Sequence, residues 1–177
     1  MNSNTKVKML VEGAMMIALA YILSLVKIWE MPSGGSVTAG SMIPILIYAF
    51  RWGGVQGVFV GMVSGLIQFI LGPKWSFHII SILFDYILAF GALGVVGFFA
   101  KKNASLIKAV VGIVIGVGLR FVCSVVSGVV VFGSYAPEGQ SPFVYSMVYN
   151  ASYLVPELVI SIVIFILLFK PLKRANI

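Results

Sequence analysis

The chain has 177 residues, 60% of them hydrophobic and 10% charged, with a mean hydropathy of +1.10. That excludes a soluble globular domain and leaves a polytopic membrane protein. Twelve Lys and Arg stand against five Asp and Glu, a formal charge of +7, but the basic residues flank apolar segments and so report topology rather than a nucleic-acid partner.

Apolar runs fall at about 9–28, 40–51, 54–72, 76–100, 105–131 and 144–169, against roughly 20 residues for a spanning helix. They predict an all-α integral membrane protein, a compact bundle of about six transmembrane helices. No linker or soluble insertion divides it, so 1–177 reads as a single transmembrane domain. Lys6 and Lys8 ahead of the first run imitate a signal peptide, but the apolar stretch continues to Val26 and reads as a retained helix. Ala14 and Ala18 make a weak small-residue stripe on it. The second run is short and contains Pro44, which predicts a tilted, broken or partly inserted helix. On the third, Gly53, Gly57, Gly61 and Gly65 recur every four residues, a stripe that lets another helix approach closely, first of all within this bundle. Gly112 and Gly116 form a shorter one on the fifth. The single cysteine, Cys123, excludes an internal disulfide and reads as a small core residue.

An even number of helices puts both termini on one side, with Lys6, Lys8, Arg51, Lys101, Lys102, Lys108, Lys170, Lys173 and Arg174, against Lys27 and Lys74 on the other. The basic-residue bias makes the first side cytoplasmic, in a plasma-membrane protein. Loops at 29–39, 73–76 and 132–143 then face outward, with Trp29 and Trp75 at the outer interface and Trp52 at the inner one.

Polar residues inside the spans are costly and need partners. Asp85, Ser124 and Asn150 each lie about six to nine residues from the outer end of their run, on the order of 9–14 Å deep at about 1.5 Å per residue. Tyr145 sits just above this layer, and Gly128 lies one turn above Ser124, where the missing side chain leaves room for a ligand or a neighbouring helix. Arg120 and Glu157 are deeper and level with each other, which predicts a structural ion pair. Asp85 then balances a bound cation, or shares Arg120, or is neutral. Trp75, Tyr86, Phe132, Tyr145, Tyr149 and Tyr153 gather near the outer ends of the last three helices, as an interfacial belt or as walls suited to a planar heteroaromatic cation. His78 is the sole histidine, so a metal site is not expected. No phosphate loop or catalytic constellation occurs, so neither an enzyme nor a bound cofactor is predicted. On the residues alone, a self-sufficient ion-coupled carrier of a small cationic heteroaromatic solute is open, with Asp85 or Glu157 as its proton site, while the polar layer disfavours a structural membrane or assembly protein.

Several stretches carry a resemblance: Met31-Pro-Ser-Gly-Gly-Ser-Val ahead of Met42-Ile-Pro-Ile and Arg51-Trp-Gly, Leu83-Phe-Asp-Tyr-Ile, Ser127-Gly128 followed by Gly133-Ser-Tyr-Ala-Pro, and Tyr145-Ser-Met-Val-Tyr-Asn150. Over nearly the whole chain these resemble thiamine-specific S components of energy-coupling factor (ECF) transporters. The resemblance implies a membrane-embedded subunit that captures thiamine from outside and works with a transmembrane coupling subunit and two ABC-type ATPases. It also implies that Asp85, Tyr86, Tyr145, Asn150, Gly128, Trp75 and Phe132 are substrate-binding positions. Ala14-x-x-x-Ala18 is similar to the motif through which such components contact the coupling subunit. The chain departs from the family at Ser124, where a histidine is usual.

Overall fold

The apolar runs fold as helices because, within a bilayer, a helix satisfies its own backbone polar groups. The computed structural model describes residues 3–99 and 104–174. Within them the chain forms helix α1 (Ser3–Leu25), strands β1 (Lys27–Glu30) and β2 (Ser36–Thr38), and helices α2 (Ile43–Trp52), α3 (Gly54–Leu71), α4 (Ile79–Phe99), α5 (Leu106–Val131) and α6 (Pro142–Arg174). Five helices are long and apolar enough to cross a membrane; α2 is not. The Lys101-Lys102 loop lies outside the described residues.

The segment expected as an outward loop at 29–39 is instead an antiparallel hairpin, with Trp29 opposite Val37 and Glu30 opposite Ser36. Its turn uses Gly34 and Gly35 at φ 94° and 83°, a region open chiefly to glycine. The hairpin explains the short second helix. Extended chain replaces the first half of that span, and α2 is a ten-residue remainder whose Ile45, Leu46, Ala49 and Phe50 are wholly buried. Phe50 packs edge-on against Phe165 and Phe169 of α6, with centroids 5.6 and 5.9 Å apart. Proline suits the first turn of α2, where its missing N–H costs nothing.

Gly53 belongs to no stripe: at φ 100° it is the joint that turns α2 directly into α3. The other three glycines pack inside the bundle. A Cβ on Gly61 would lie 2.2 Å from the Phe90 carbonyl oxygen, and one on Gly65 would lie 2.1 Å from that of Tyr86. The backbones of α3 and α4 are therefore in direct contact. Gly112 and Gly116 bring α5 against the opposite side of α4, at Val96 and Ala92.

α1 is the least embedded helix, with Leu10, Met15, Leu19, Ile22, Ala14 and Ala18 all exposed. Polar contacts pin it near its middle and at its C-terminal end. Glu12 accepts from Trp52 Nε1 at 2.8 Å and pairs with Arg51 Nε at 3.1 Å, while Ser24 donates to Gln68 Oε1 at 3.2 Å.

Gly61→Val should overpack the α3–α4 contact and destabilise the protein by about 1–3 kcal/mol, read as a lower thermal-unfolding midpoint in detergent. Gly118→Ala, where no atom lies within 4 Å of the added carbon, should leave the midpoint unchanged. Equal behaviour of the two variants would contradict the packing described.

Candidate ligand-binding site

A cavity of about 480 Å³ opens between the hairpin and helices α3 to α6. Trp75, Asp85, Tyr86, Ser124, Gly128, Phe132, Tyr145 and Asn150, the eight positions singled out from sequence, all line it. Helical register brings together the three helices that carry the polar layer, and the hairpin supplies a fourth wall.

Asp85 is placed by a distortion that sequence gives no sign of. Ile82–Leu88 is π-helical, a wider turn that re-aims side chains and recurs at functional sites. Asp85 Oδ2 accepts from Ser81 Oγ, one α-helical turn earlier on α4, at 2.8 Å, and from Ser127 Oγ of α5 at 2.5 Å. Two hydroxyl donors stabilise an anion without neutralising it. Neither serine was singled out as a site residue; the signal available was the i−4 spacing of Ser81 and the place of Ser127 beside Gly128.

Gly128 serves the neighbouring helix. A Cβ there would lie 2.1 Å from Ser146 Oγ, so glycine is what lets α6 close onto α5. Ser146 then donates to the Val125 carbonyl at 3.1 Å. Asn150 is fixed by the same approach: Nδ2 donates to the Ser146 and Ser124 carbonyls at 2.9 and 3.3 Å, and Oδ1 accepts from Tyr153 at 2.7 Å. With its amide nitrogen committed, Asn150 offers the cavity an acceptor. Ser124 is buried.

The aromatic residues form a wall. Tyr145 and Tyr149 lie 5.8 Å apart, Phe132 and Tyr135 6.1 Å, and Tyr86 packs edge-on against Phe69 at 5.2 Å. Trp75 covers the hairpin turn at Gly34, and Tyr153 lies against Gly35. Tyr149 closes the turn with two bonds, accepting from the Ser33 N–H at 2.9 Å and donating to the Gly34 carbonyl at 2.7 Å. His78 stands outside, its Nδ1 accepting from the Ile80 N–H at the start of α4.

The expected Arg120–Glu157 ion pair is not formed. Ion pairs among the described residues join Lys27 to Glu30 and Arg51 to Glu12. Glu157 Oε1 instead accepts from the backbone N–H and the hydroxyl of Thr38 on β2. The guanidinium of Arg120 lies over the Phe90 ring, 4.3 Å from its centroid. The physical reason is the hairpin: its inserted backbone brings an N–H that must be satisfied in the interior. The expectation considered only the helices. Counted at full ionisation, the cavity lining carries three carboxylates (Glu30, Asp85, Glu157) against two cations (Lys27, Arg120). That excess favours a ligand with one positive charge.

Comparisons with known proteins agree in kind. The family described as thiamine transporter protein matches residues 10–177. The thiamine transporter ThiT of Bacillus subtilis (strain 168) is 41% identical over 98% of this chain and 96% of its own length. ThiT of Lacticaseibacillus paracasei is 27% identical over 93% and 88%. A solved structure of ThiT from Listeria monocytogenes superposes with a TM-score of 0.85 at 26% identity, covering 97% of this chain and 98% of that one. With its helices, its apolar spans and the matched length, this chain belongs to the thiamine transporter protein family.

Proposed function

We propose that this chain is the substrate-capture subunit of an ATP-driven ECF-type vitamin importer, and that it binds thiamine in the cavity lined by Asp85 and the aromatic wall. The observation that carries the reading is the arrangement at Asp85. A carboxylate held by Ser81 and Ser127 faces a cavity walled by Trp75, Tyr86, Phe132 and Tyr145, which suits a planar cation with a hydrogen-bonding ring. Thiamine joins a permanent thiazolium charge to an aminopyrimidine. The whole of 1–177 acts as one substrate-binding unit, with Trp75, Asp85, Tyr86, Ser124, Gly128, Phe132, Tyr145 and Asn150 at the ligand.

The family is one of transporters and not of enzymes, and the work of ATP hydrolysis falls to partner subunits. These are a transmembrane coupling subunit and two ABC-type ATPases. Ala14 and Ala18 lie exposed on the least embedded helix, a surface that a partner helix can approach closely. The protein is a multi-pass membrane protein. Both termini lie in the cytoplasm and the cavity opens outward, a reading supported by the bias of Lys and Arg.

The orientation has a direct check in a Cys123→Ala background. Ser134→Cys should react with an impermeant thiol reagent in intact cells, and Ser105→Cys only after permeabilisation. The reverse pattern would place the cavity on the cytoplasmic side.

Uptake of labelled thiamine should require the coupling subunit and ATPases. Ala14→Trp with Ala18→Trp should abolish uptake by the assembled transporter while thiamine affinity of the purified chain changes less than about twofold, since the stripe lies away from the cavity. Uptake by the chain alone would favour an ion-coupled carrier. Equal loss of binding and uptake in the double variant would make the stripe part of the bundle.

A further inference from the structure

Asp85 lies in an apolar span, and both of its protein donors go to the same atom. Ser81 Oγ on α4 and Ser127 Oγ on α5 donate to Oδ2. Among the described residues no donor reaches Oδ1, yet it is not one of the buried side-chain atoms left without a partner, which belong to Arg120, Glu157 and Ser161. Asp85 lines the cavity and keeps partial exposure, so Oδ1 is its open oxygen. The carboxylate is divided, one oxygen held by the protein and the other left to the cavity.

The two serines forgo an easier partner to do this. A serine inside a helix can return its hydroxyl to a carbonyl one turn back. Ser24 and Ser152 do so, to the carbonyls of Tyr21 and Tyr149; Ser81 and Ser127 bond Asp85 instead. Both are almost wholly buried, at 2% and 0% exposed, where an unpaired hydroxyl is costly. They also approach from two helices, Ser81 from just before the π-helical stretch and Ser127 from α5. Bonds from two directions fix the carboxylate before a ligand arrives, and a side chain ordered in advance loses less freedom on binding. On the reading that thiamine binds at Asp85, we propose that Ser81 and Ser127 are positioning residues, which hold Oδ2 so that Oδ1 is presented to the ligand. Ser127 is not one of the residues lining the cavity, so its effect on a ligand passes through Asp85.

Ser127→Ala is for that reason the cleaner test. Titration calorimetry on the purified chain should find thiamine bound about three- to tenfold more weakly. In an Asp85→Ala background no carboxylate remains to be held, and the same substitution should change affinity less than about twofold. A role confined to packing α4 against α5 predicts the same loss in both backgrounds. A loss that persists without Asp85, or unchanged affinity in Ser127→Ala alone, would therefore overturn the proposal. Ser81→Ala should show the same dependence on Asp85 and supplies the measurement if Ser127→Ala does not fold. Two other results would fall on the underlying reading: unchanged affinity in Asp85→Ala would remove Asp85 from the site, and failure of the unmutated chain to bind thiamine would overturn the ligand.

Discussion

An extended backbone cannot lie among apolar helices unless its N–H groups find partners, and the hairpin end of this bundle is organised around meeting that condition. β2 inserts where a longer second helix would otherwise stand, and the N–H of Thr38 is answered by Glu157, deep in α6. The same carboxylate takes the Thr38 hydroxyl, which in turn joins Ser41 at 2.8 Å at the approach to α2. Tyr149, two turns earlier on α6, closes the tip of the hairpin through Ser33 and Gly34. One helix thus holds both ends of the segment. What would have been filled by side chains of a full-length span becomes a cavity with a polar wall, since non-helical chain at this depth is tolerated where it is buried in protein or borders such a space.

Packing on the far side of the cavity acts through glycine. Gly61 and Gly65 let α3 touch the carbonyls of Phe90 and Tyr86, which bracket the end of the π-helical stretch of α4. Gly128 lets α6 close onto α5 at Ser146. The first contact backs the segment that presents Asp85, and the second sets the position of Asn150. Removing bulk from these two interfaces leaves room between them for a ligand. Interiors are otherwise close-packed, so the cavity is sustained by backbone contact around it.

The span pattern was legible because a helix in a bilayer needs about 20 apolar residues, and five of the runs met that length. The polar layer was legible for the same reason in reverse: Asp85, Ser124 and Asn150 stand out against apolar neighbours, and their depths follow from a constant rise. The hairpin was not legible. Gly34 and Gly35 mark a turn, but nothing local says that the strand after it is drawn inward, because that depends on Glu157, over a hundred residues later. The same long-range bond accounts for the missing ion pair, since depth alone assigns Arg120 and Glu157 to each other and cannot count a backbone donor as a rival. The π-helical turn at Asp85 likewise has no local signature in the sequence.

The central claim is that Asp85 balances a bound cation in a partly dehydrated cavity. Titration calorimetry of Asp85→Asn with thiamine and with a neutral pyrimidine analogue lacking the thiazolium tests it most directly. Asparagine keeps the shape and some hydrogen bonding and removes the charge. Loss of a charge-assisted contact of roughly 1.5–3 kcal/mol weakens thiamine about ten- to a hundredfold, and the neutral analogue much less. Unchanged thiamine affinity in Asp85→Asn, or an equal loss for both ligands, would contradict the account.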